Sequence, residues 1–169
     1  MGKNACAQTS SPTQHFVISD LPNLIVANAD APDEAFTGTA IDVTFEIRNT
    51  GKESSRSGTW YDAIYLSADT ILNKVIDPYL GARANVSALQ PGQSYASVIR
   101  GNLPRNIIGQ QYILVETNYD QRLGEAIGTD NIKVVPLVIN LTPPPDLRVT
   151  NVVTTGMLFR ANPSRWSGQ

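Results

Sequence analysis

Side-chain oxygens recur at four-residue intervals in one segment, at Asp69, Asn73 and Asp77. Carboxylate and amide oxygens are the ligands that Ca²⁺ prefers in proteins. The segment opens with the turn cluster 67–70, whose short polar side chains can bond their own backbone. It has neither the central glycine nor the closing glutamate of an EF-hand loop. The pattern therefore predicts either a calcium site at Asp69, Asn73 and Asp77 or a loop of solvated acids. A second segment offers the same ligand chemistry at Asp120, Glu125 and Asp130.

The residues needed for nucleophilic or acid–base catalysis are scarce. The single histidine is His15 and the single cysteine is Cys6, and both lie in a polar N-terminal stretch. A Ser-His-Asp or Cys-His centre needs its base held by a packed scaffold, so we expect both residues to be solvated. The sequence contains no nucleophile elbow, zinc-protease or phosphate-loop motif, and no pair of acids stands out for glycoside hydrolysis. We predict no catalytic residue and no cofactor other than calcium.

The composition is that of an extracellular-type β domain. Charged residues make up 17% of the chain, below the usual quarter, while glycine and proline number 12 and 11. The formal net charge is −2, and the scattered basic residues offer no stripe to neutralise nucleic-acid phosphates. One cysteine cannot form an intrachain disulfide, and no apolar run is long enough for a membrane span. The start of the chain lacks the apolar core of a signal peptide, which predicts that any export signal lies elsewhere in a longer protein.

Alternation of apolar and polar residues predicts β-strands along the chain. It is clearest at residues 39–48, where one face carries Ile41, Val43, Phe45 and Ile47. Turn clusters separate the strands, and no long segment has a helical apolar period. These features predict an all-β, antiparallel sandwich of about seven strands. The other predicted strands are 21–26, 60–66, 79–80, 94–100, 110–117 and 132–140.

The aromatic residues on these strands have two possible roles. Trp60 is expected to pack in the core against the strands around Phe45 and Tyr112. If Tyr61, Tyr65 and Tyr119 are exposed, their rings are able to stack on sugars. The usual role of a strand-borne tyrosine is packing within the core or across strands.

The chain divides into four predicted parts. Residues 1–19 are polar and aperiodic, which predicts a flexible lead-in. The sandwich is expected to span residues 20–141, and the Pro-rich residues 142–145 to form a stiff linker. Residues 146–169 are expected to be the truncated start of a second repeat.

The prediction of a second repeat depends on an internal echo. Pro145-Asp146-Leu147-Arg148-Val149 aligns with Pro22-Asn23-Leu24-Ile25-Val26, 123 residues earlier. This period matches a whole domain rather than a solenoid repeat. Neighbouring repeats of the same polypeptide are therefore the first expected partners.

One run of residues resembles the signature of a known family. The chain resembles the pattern W-x-D-x-x-Y-L-S-x-D of the CARDB family at Trp60, Asp62, Tyr65-Leu66-Ser67 and Asp69. CARDB is the cell-adhesion-related domain found in bacteria. The resemblance covers about residues 21–140. The closing loop of the family has two asparagines where this chain has only Asn131, and Asn73 stands where the family often has an aspartate. Further matches are Pro22-Asn23-Leu24, Asn49-Thr50-Gly51, Leu89 with Pro91-Gly92 and Tyr95, Gly109 with Tyr112 and Val115, and Glu125.

The resemblance implies an immunoglobulin-like sandwich that is repeated along large bacterial proteins. It leads us to expect a non-catalytic adhesion or spacer module of an exported or cell-surface protein, with an extracellular location. An accessory domain of an exported hydrolase, binding carbohydrate or protein, is the alternative. An exposed aromatic row on one sheet face would favour that alternative. A small enzyme is the third hypothesis, and a cleft that gathers acids with raised pKa values would favour it.

Overall fold

Two β-sheets form the structure, a computed structural model that describes residues 20–56, 58–85 and 87–152. Eight strands are present in the described residues. None of these residues belongs to a helix long and apolar enough to cross a membrane. The strands are β1 (Leu24–Asp30), β2 (Glu34–Phe36), β3 (Ala40–Asn49), β4 (Tyr61–Ser67), β5 (Tyr79–Ala84), β6 (Ser94–Asn102), β7 (Gly109–Glu116) and β8 (Ile132–Asn140).

The strands divide unequally between the two sheets. The smaller sheet has the order β1-β3-β6, and the larger has the order β2-β8-β7-β4-β5. Every pairing is antiparallel except that of β2 with β8, which is parallel. The predicted all-β sandwich is confirmed. The strand count is eight rather than about seven, and the single parallel pair departs from a wholly antiparallel arrangement.

Strand β2 is the element that the sequence pattern does not indicate. Proline disfavours the interior of a sheet, so β1 ends at Asp30, before Pro32, and the chain bends at Asp33. It then pairs with β8 in the other sheet. The Val138 amide donates to the Asp33 carbonyl at 2.9 Å, and the Thr37 amide donates to the Asn140 carbonyl at 2.9 Å. Three residues are too few to show an alternating pattern, so this strand is not among those that the sequence predicts.

The core lies between the inner faces of the two sheets. Strand β3 buries the four apolar residues predicted for one face, and Trp60 is 0% exposed. The Trp60 ring lies 6.3 Å from that of Tyr95 on β6, measured between centroids. Strand β7 contributes Ile113 and Val115 to this core. Trp60 thus shares the core with the strands around Phe45 and Tyr112, as predicted, although Tyr112 itself is only partly buried and is not a member of the core cluster.

A second, smaller apolar cluster covers the outer face of the larger sheet. Ala63, Tyr65 and Leu114 are its buried members. Leu72, from the connection between β4 and β5, packs against them together with Tyr119. The β4–β5 connection, residues 68–78, therefore lies over the sheet and does not project freely from its end.

The chain enters the sandwich at one end and leaves it at the other. At the N-terminal pole, Leu24 at the start of β1 lies opposite Asn49 at the end of β3. At the C-terminal pole, the Asn140 carbonyl accepts from Thr37, close to where β3 begins. Strand β3 has 10 residues, so the two poles are separated by about 30 Å.

The predicted divisions of the chain are only partly covered by the structure. The lead-in, residues 1–19, lies outside the described residues, as does 153–169 of the predicted second repeat. Residues 142–152 have no regular secondary structure. Thr142 is nevertheless fixed, because its hydroxyl donates to the Thr37 carbonyl at 2.6 Å and its amide donates to the Thr37 hydroxyl at 3.2 Å.

Candidate functional site

The three predicted calcium ligands lie in the β4–β5 connection, where each of them accepts a backbone hydrogen bond. Asp69 Oδ1 accepts from the Ile71 amide at 2.8 Å, and Asn73 Oδ1 accepts from the Val75 amide at 3.1 Å. Asp77 Oδ2 accepts from the Asn73 amide at 2.7 Å. Side chains of this kind stabilise turns by replacing a backbone acceptor. These oxygens therefore hold the connection in a defined shape.

The structure brings only two of the three residues into direct contact. Asn73 and Asp77 are joined by a hydrogen bond, whereas Asp69 bonds within its own turn. Among the described residues, no group of three or more His, Cys, Asp or Glu side chains is arranged to hold a metal ion. A calcium site at Asp69, Asn73 and Asp77 stays a prediction.

The connection is fixed to the sheet by a lysine. Lys74 Nζ lies 2.9 Å from Glu116 Oε1 and donates to the Tyr119 carbonyl at 3.2 Å. Burial raises the pKa of Glu116, while Lys74 and the nearby Tyr65 hydroxyl oppose that rise. Together with Leu72, this contact anchors the middle of the connection. Its remaining apolar side chains face solvent, with exposures of 75% at Ile71, 92% at Val75 and 72% at Ile76.

Four tyrosines form a continuous row on the same outer face. Ring centroids lie 6.5 Å apart for Tyr61 and Tyr119, 6.3 Å for Tyr79 and Tyr119, and 5.6 Å for Tyr65 and Tyr79. The rings are tilted or edge-on to one another rather than coplanar. Lys74 lies 5.9 Å from the Tyr119 centroid and Arg122 lies 5.4 Å from that of Tyr61. Tyr65 and Tyr79 thus make the cross-strand contact that is usual for strand tyrosines, while Tyr61 packs against Tyr119 in the turn after β7.

Polar side chains connect three segments at the N-terminal pole. The Glu125 carboxylate accepts from the Leu24 amide at 3.0 Å, from Asn118 Nδ2 at 2.5 Å and from Asn131 Nδ2 at 3.1 Å. Burial raises the pKa of Glu125, and these hydrogen bonds oppose it. Asn118 was not singled out in the sequence, because an asparagine in a polar loop carries no distinguishing pattern. Its positive φ of 49° is visible only in the structure.

The Asn-x-Gly motif after β3 completes this pole. Asn49 is fully buried, and its Oδ1 accepts from the amides of Asn23 at 3.1 Å and Gly51 at 3.0 Å. Its Nδ2 donates to the carbonyls of Glu53 and Leu89. A Cβ on Gly51 would lie 2.4 Å from the Asn23 amide nitrogen. Glycine is therefore required where the backbones of 49–51 and 21–23 meet.

The aspartate of the W-x-D motif is buried between the sheets. Asp62 is 1% exposed and accepts hydrogen bonds from the hydroxyls of Tyr95 and Thr117, the latter at 2.7 Å. Burial raises the pKa of Asp62, and its hydrogen bonds, together with the nearby Trp60 indole, oppose that rise. Burial, followed by the charge of Asp62, raises the pKa of Tyr95. Because Tyr95 lies on β6 and Thr117 follows β7, the carboxylate joins the two sheets.

Comparison with known proteins places these features in a family context. The CARDB family model matches residues 21–135. The chain is similar to the CARDB domain of the PF1109 protein from Pyrococcus furiosus, which was crystallised in complex with di-metal ions. The TM-score is 0.53 at 14% identity, covering 73% of this chain and 97% of that one. No curated protein matches the sequence.

A second solved structure has the same fold. It is a domain of a protein from Methanosarcina acetivorans that is provisionally described as a cell surface protein. The TM-score is 0.51 at 12% identity, covering 71% of this chain and 93% of that one. At these identities the likeness bears on the fold, and it confirms the predicted immunoglobulin-like sandwich.

Proposed function

Because the chain belongs to the CARDB family, a family of non-catalytic domains, we propose that this protein is a spacer and adhesion module of a larger bacterial exported or cell-surface polypeptide. The domain would position other parts of that polypeptide and contact surface proteins or carbohydrates without catalysing a reaction. The fold is shared with a protein provisionally described as a cell surface protein, and this supports the proposed extracellular location.

The main support for the proposal is that the chain enters and leaves the sandwich at opposite poles. Residues 20–24 approach the N-terminal pole and residues 140–142 leave from the C-terminal pole. A domain with ends on opposite poles adds its own length, about 30 Å, to the polypeptide. A domain whose ends met at one pole would add almost nothing. The arrangement is therefore suited to a string of domains that extends away from a surface.

The joint to a following domain also supports this proposal. Thr142 is hydrogen-bonded to Thr37, and three prolines follow it, which favours an extended and semi-rigid spacer. In the echo, Leu147 and Val149 occupy the positions of Leu24 and Val26, which are buried in β1. Leu147 and Val149 are 87% and 82% exposed. Their apolar side chains are consistent with a first strand that requires the remainder of a second copy to cover it.

The pairing of β2 with β8 would resist tension along such a string. The two strands are parallel neighbours; β2 is the second strand of the sandwich and β8 is its last. Opposite forces on the two chain ends would slide one strand along the other and strain all of their hydrogen bonds together. Separation in this direction requires more force than opening the bonds one at a time. The same pairing is therefore useful in a module that transmits force.

An internal duplication tests the spacer function. Residues 1–144 are followed by residues 22–169, so that a complete second copy starts in the register of the echo. Small-angle X-ray scattering is expected to show a maximum dimension about 30 Å greater than that of the single chain. Replacement of Pro143, Pro144 and the Pro22 of the second copy, the three prolines of the joint, by glycine is the matched control, and it should broaden the distance distribution. Two copies that fold side by side, with no gain in length, would contradict the proposal.

The tyrosine row favours one alternative function, an accessory carbohydrate-binding domain of an exported hydrolase. Tyr79 is 54% exposed and lies in this row. Affinity electrophoresis in gels that contain soluble polysaccharides tests this alternative. Retardation that is lost in Tyr79→Ala but kept in Phe36→Ala, an exposed aromatic residue on β2, would favour the carbohydrate-binding function over a pure spacer.

The predicted calcium site in the β4–β5 connection is also kept as a proposal. A relative with the same fold was crystallised with di-metal ions. Asp69, Asn73 and Asp77 each have lone pairs beyond those that accept the backbone bonds. A melting midpoint that rises with calcium in the native chain, and no longer does so after Asp69→Asn and Asp77→Asn together, would support this site. A rise that survives the double substitution would contradict it.

A further inference from the structure

Strand β8 is apolar on both of its faces. Leu137 and Ile139 point into the core between the two sheets, whereas Val134 packs in the cluster on the outer face of the larger sheet. A strand with one solvated face alternates apolar and polar residues, and a continuous apolar run is typical of a strand that is covered on both faces. The outward residues of β8 are Ile132, Val134, Pro136 and Val138.

The smaller sheet provides the contrast, because its outer face is polar. On that face, Arg100 of β6 lies 3.2 Å from Asp42 of β3. The outward residues of β3 are Asp42, Thr44, Glu46 and Arg48. Single exposed apolar side chains are ordinary, but a contiguous group of them on one face marks an interaction surface. The outer face of the larger sheet is therefore the candidate surface.

The apolar face continues from β8 onto β2. Phe36 pairs in register with Asn140, and its neighbour Ala35 packs against the core, so the Phe36 ring faces outwards. Phe36 is 45% exposed and Ile132 is 39% exposed. We call the outward residues of β8, together with Phe36, the apolar strip.

The β4–β5 connection raises the other half of the same face. It lies over β4 and β7, where Leu72 packs in the cluster that also includes Val134. The exposed side chains of Ile71, Val75 and Ile76 project from it. Because side-chain hydrogen bonds to its backbone hold the connection in shape, ordering these residues in a contact costs little conformational entropy. A raised apolar half thus borders the lower apolar strip.

A face of this shape is complementary to a second copy of itself. A two-fold rotation about an axis along the strands places the raised half of each copy against the apolar strip of the other, and the same contact forms twice. The residues of the strip carry no charge, and Lys74 on the connection is already paired with Glu116 at 2.9 Å. Burial of Lys74 in the contact would therefore leave it paired.

The area of the face is sufficient for a stable pair. Its large exposed side chains are Phe36, Ile71, Val75, Ile76, Tyr79 and Ile132. Together they expose on the order of 800 Å², about the area that one partner contributes to a specific interface. An apolar patch of this size is rare on a protein that stays monomeric.

We propose that the outer face of the larger sheet binds a second copy of this chain, with the β4–β5 connection of each copy seated on the apolar strip of the other. Lys74 contacts Glu116, which pairs in register with Ile132, so Val75 and Ile132 lie at about the same level along the strands. The rotation preserves this level. Val75 of one copy is therefore expected to lie next to Ile132 of the other. This contact does not depend on the spacer function.

Sedimentation equilibrium of the native 169-residue chain tests the association. Between about 10 µM and 1 mM, where a modest interface associates, the average mass should rise towards that of two chains. Val75→Glu should weaken the association at least about tenfold, because it brings a carboxylate into an apolar contact. Val75 is 92% exposed, so the fold should be unchanged. Val98→Glu, at an exposed valine on β6 of the smaller sheet, is the matched control and should associate like the native chain.

Chemical crosslinking locates the contact. In a Cys6→Ser background, chains with Val75→Cys are mixed with chains with Ile132→Cys and treated with a short bifunctional maleimide. This mixture should give more two-chain product than a mixture of Val75→Cys with Val98→Cys.

Three results would overturn the proposal. The first is a native chain that stays monomeric across the concentration range, which would leave the face to a different partner. The second is association that Val75→Glu leaves unchanged, as would occur if the exposed apolar residues of 147–152 joined the chains. The third is crosslinking of Val75→Cys to Val98→Cys that is as strong as to Ile132→Cys.

Discussion

The segment from Trp60 to Asp77 has two halves that occupy opposite environments. In the strand half, residues 60–66, Trp60 and Asp62 are 0% and 1% exposed. In the loop half, residues 67–77, Val75 and Ile76 are 92% and 72% exposed. The strand half belongs to the larger sheet and buries Trp60 and Asp62 between the two sheets, while the loop half lies over the outer face of the larger one.

The two halves use aspartate for different purposes. The Asp62 carboxylate accepts from hydroxyls of both sheets, so it connects elements that are far apart in the sequence. The carboxylates of Asp69 and Asp77 accept from amides two and four residues away and shape only their own loop. The family signature that spans both halves therefore combines a stabilising part with a surface part. Changes in the first should affect folding, and changes in the second should affect contacts.

The largest expected effect is that of Trp60→Ala. Truncating a buried tryptophan creates a cavity in the core and lowers the free energy of unfolding by about 3–5 kcal/mol. Such a loss is a large fraction of the stability of a typical domain. Denaturant unfolding followed by circular dichroism measures it. Ile76→Ala, an aliphatic truncation in the loop half, is the control and should change the free energy by less than about 0.5 kcal/mol. Equal losses of free energy in the two variants would show that the strand half and the loop half contribute equally to folding.

Asp62→Ala should have the second largest effect. It leaves the Tyr95 and Thr117 hydroxyls without their acceptor between the sheets, and unpaired buried groups lower stability by about 1–3 kcal/mol each. Removal of a buried charge offsets part of this loss. A net loss of about 2 kcal/mol is expected in denaturant unfolding. Thr117→Val tests the link, since its effect in the Asp62→Ala background should be smaller than in the native chain.

The pH dependence of stability should report the buried carboxylates. Burial raises the pKa values of Asp62, Glu116 and Glu125 above their ordinary values of 3.8, 4.5 and 4.5. In the window above those values the native state binds more protons than the unfolded chain, so the free energy of unfolding should rise as pH falls from about 7 towards 5. This contribution is complete below the ordinary values and is lost as pH rises through the native pKa values. Melting midpoints across this range measure it.

Substitution by the matching amide separates the contributions to that pH dependence. Asp62→Asn, Glu116→Gln and Glu125→Gln should each flatten the rise, because each removes one proton that the native state binds preferentially. Asp42→Asn, on an exposed face, serves as the comparison. A native chain whose stability falls steadily from about pH 7 to 5 would contradict the role assigned to the buried acids.

Much of the sandwich could be predicted from the sequence because alternation is a local signal. The apolar face of β3 was visible residue by residue, and the strand half of the central segment was recognisable from its aromatic and aliphatic residues. Strand β2 was not, because its three residues owe their conformation to β8, about a hundred residues away. Pairing at such a distance leaves no pattern in the segment itself.

The polar features were less predictable than the core because they, like β2, depend on contacts between segments that are far apart in the sequence. The sequence indicated oxygen atoms at Asp69, Asn73 and Asp77, but not that backbone amides would occupy one acceptor on each. It indicated Glu125 as a possible oxygen ligand and through the family resemblance, and Asn131 through the resemblance only. The contact of Lys74 with Glu116 was not indicated either, because Glu116 lies at the end of a strand and looks like an ordinary surface acid. Burial and side-chain hydrogen bonding are tertiary properties, so they become visible only when the segments are brought together.

The smallest effect on stability is expected for Asp69→Ala. Comparing it with Asp62→Ala tests directly whether the strand half and the loop half differ in their contribution to folding. The substitution removes one hydrogen bond to the Ile71 amide in an exposed turn, where water can replace the lost acceptor. The free energy of unfolding should change by less than about 0.5 kcal/mol, several times less than for the aspartate seven residues earlier. Hydrogen exchange should be faster at the Ile71 amide and unchanged on β4. A loss as large as that of Asp62→Ala would mean that the loop half contributes to folding as much as the strand half, and the surface role assigned to it would be wrong.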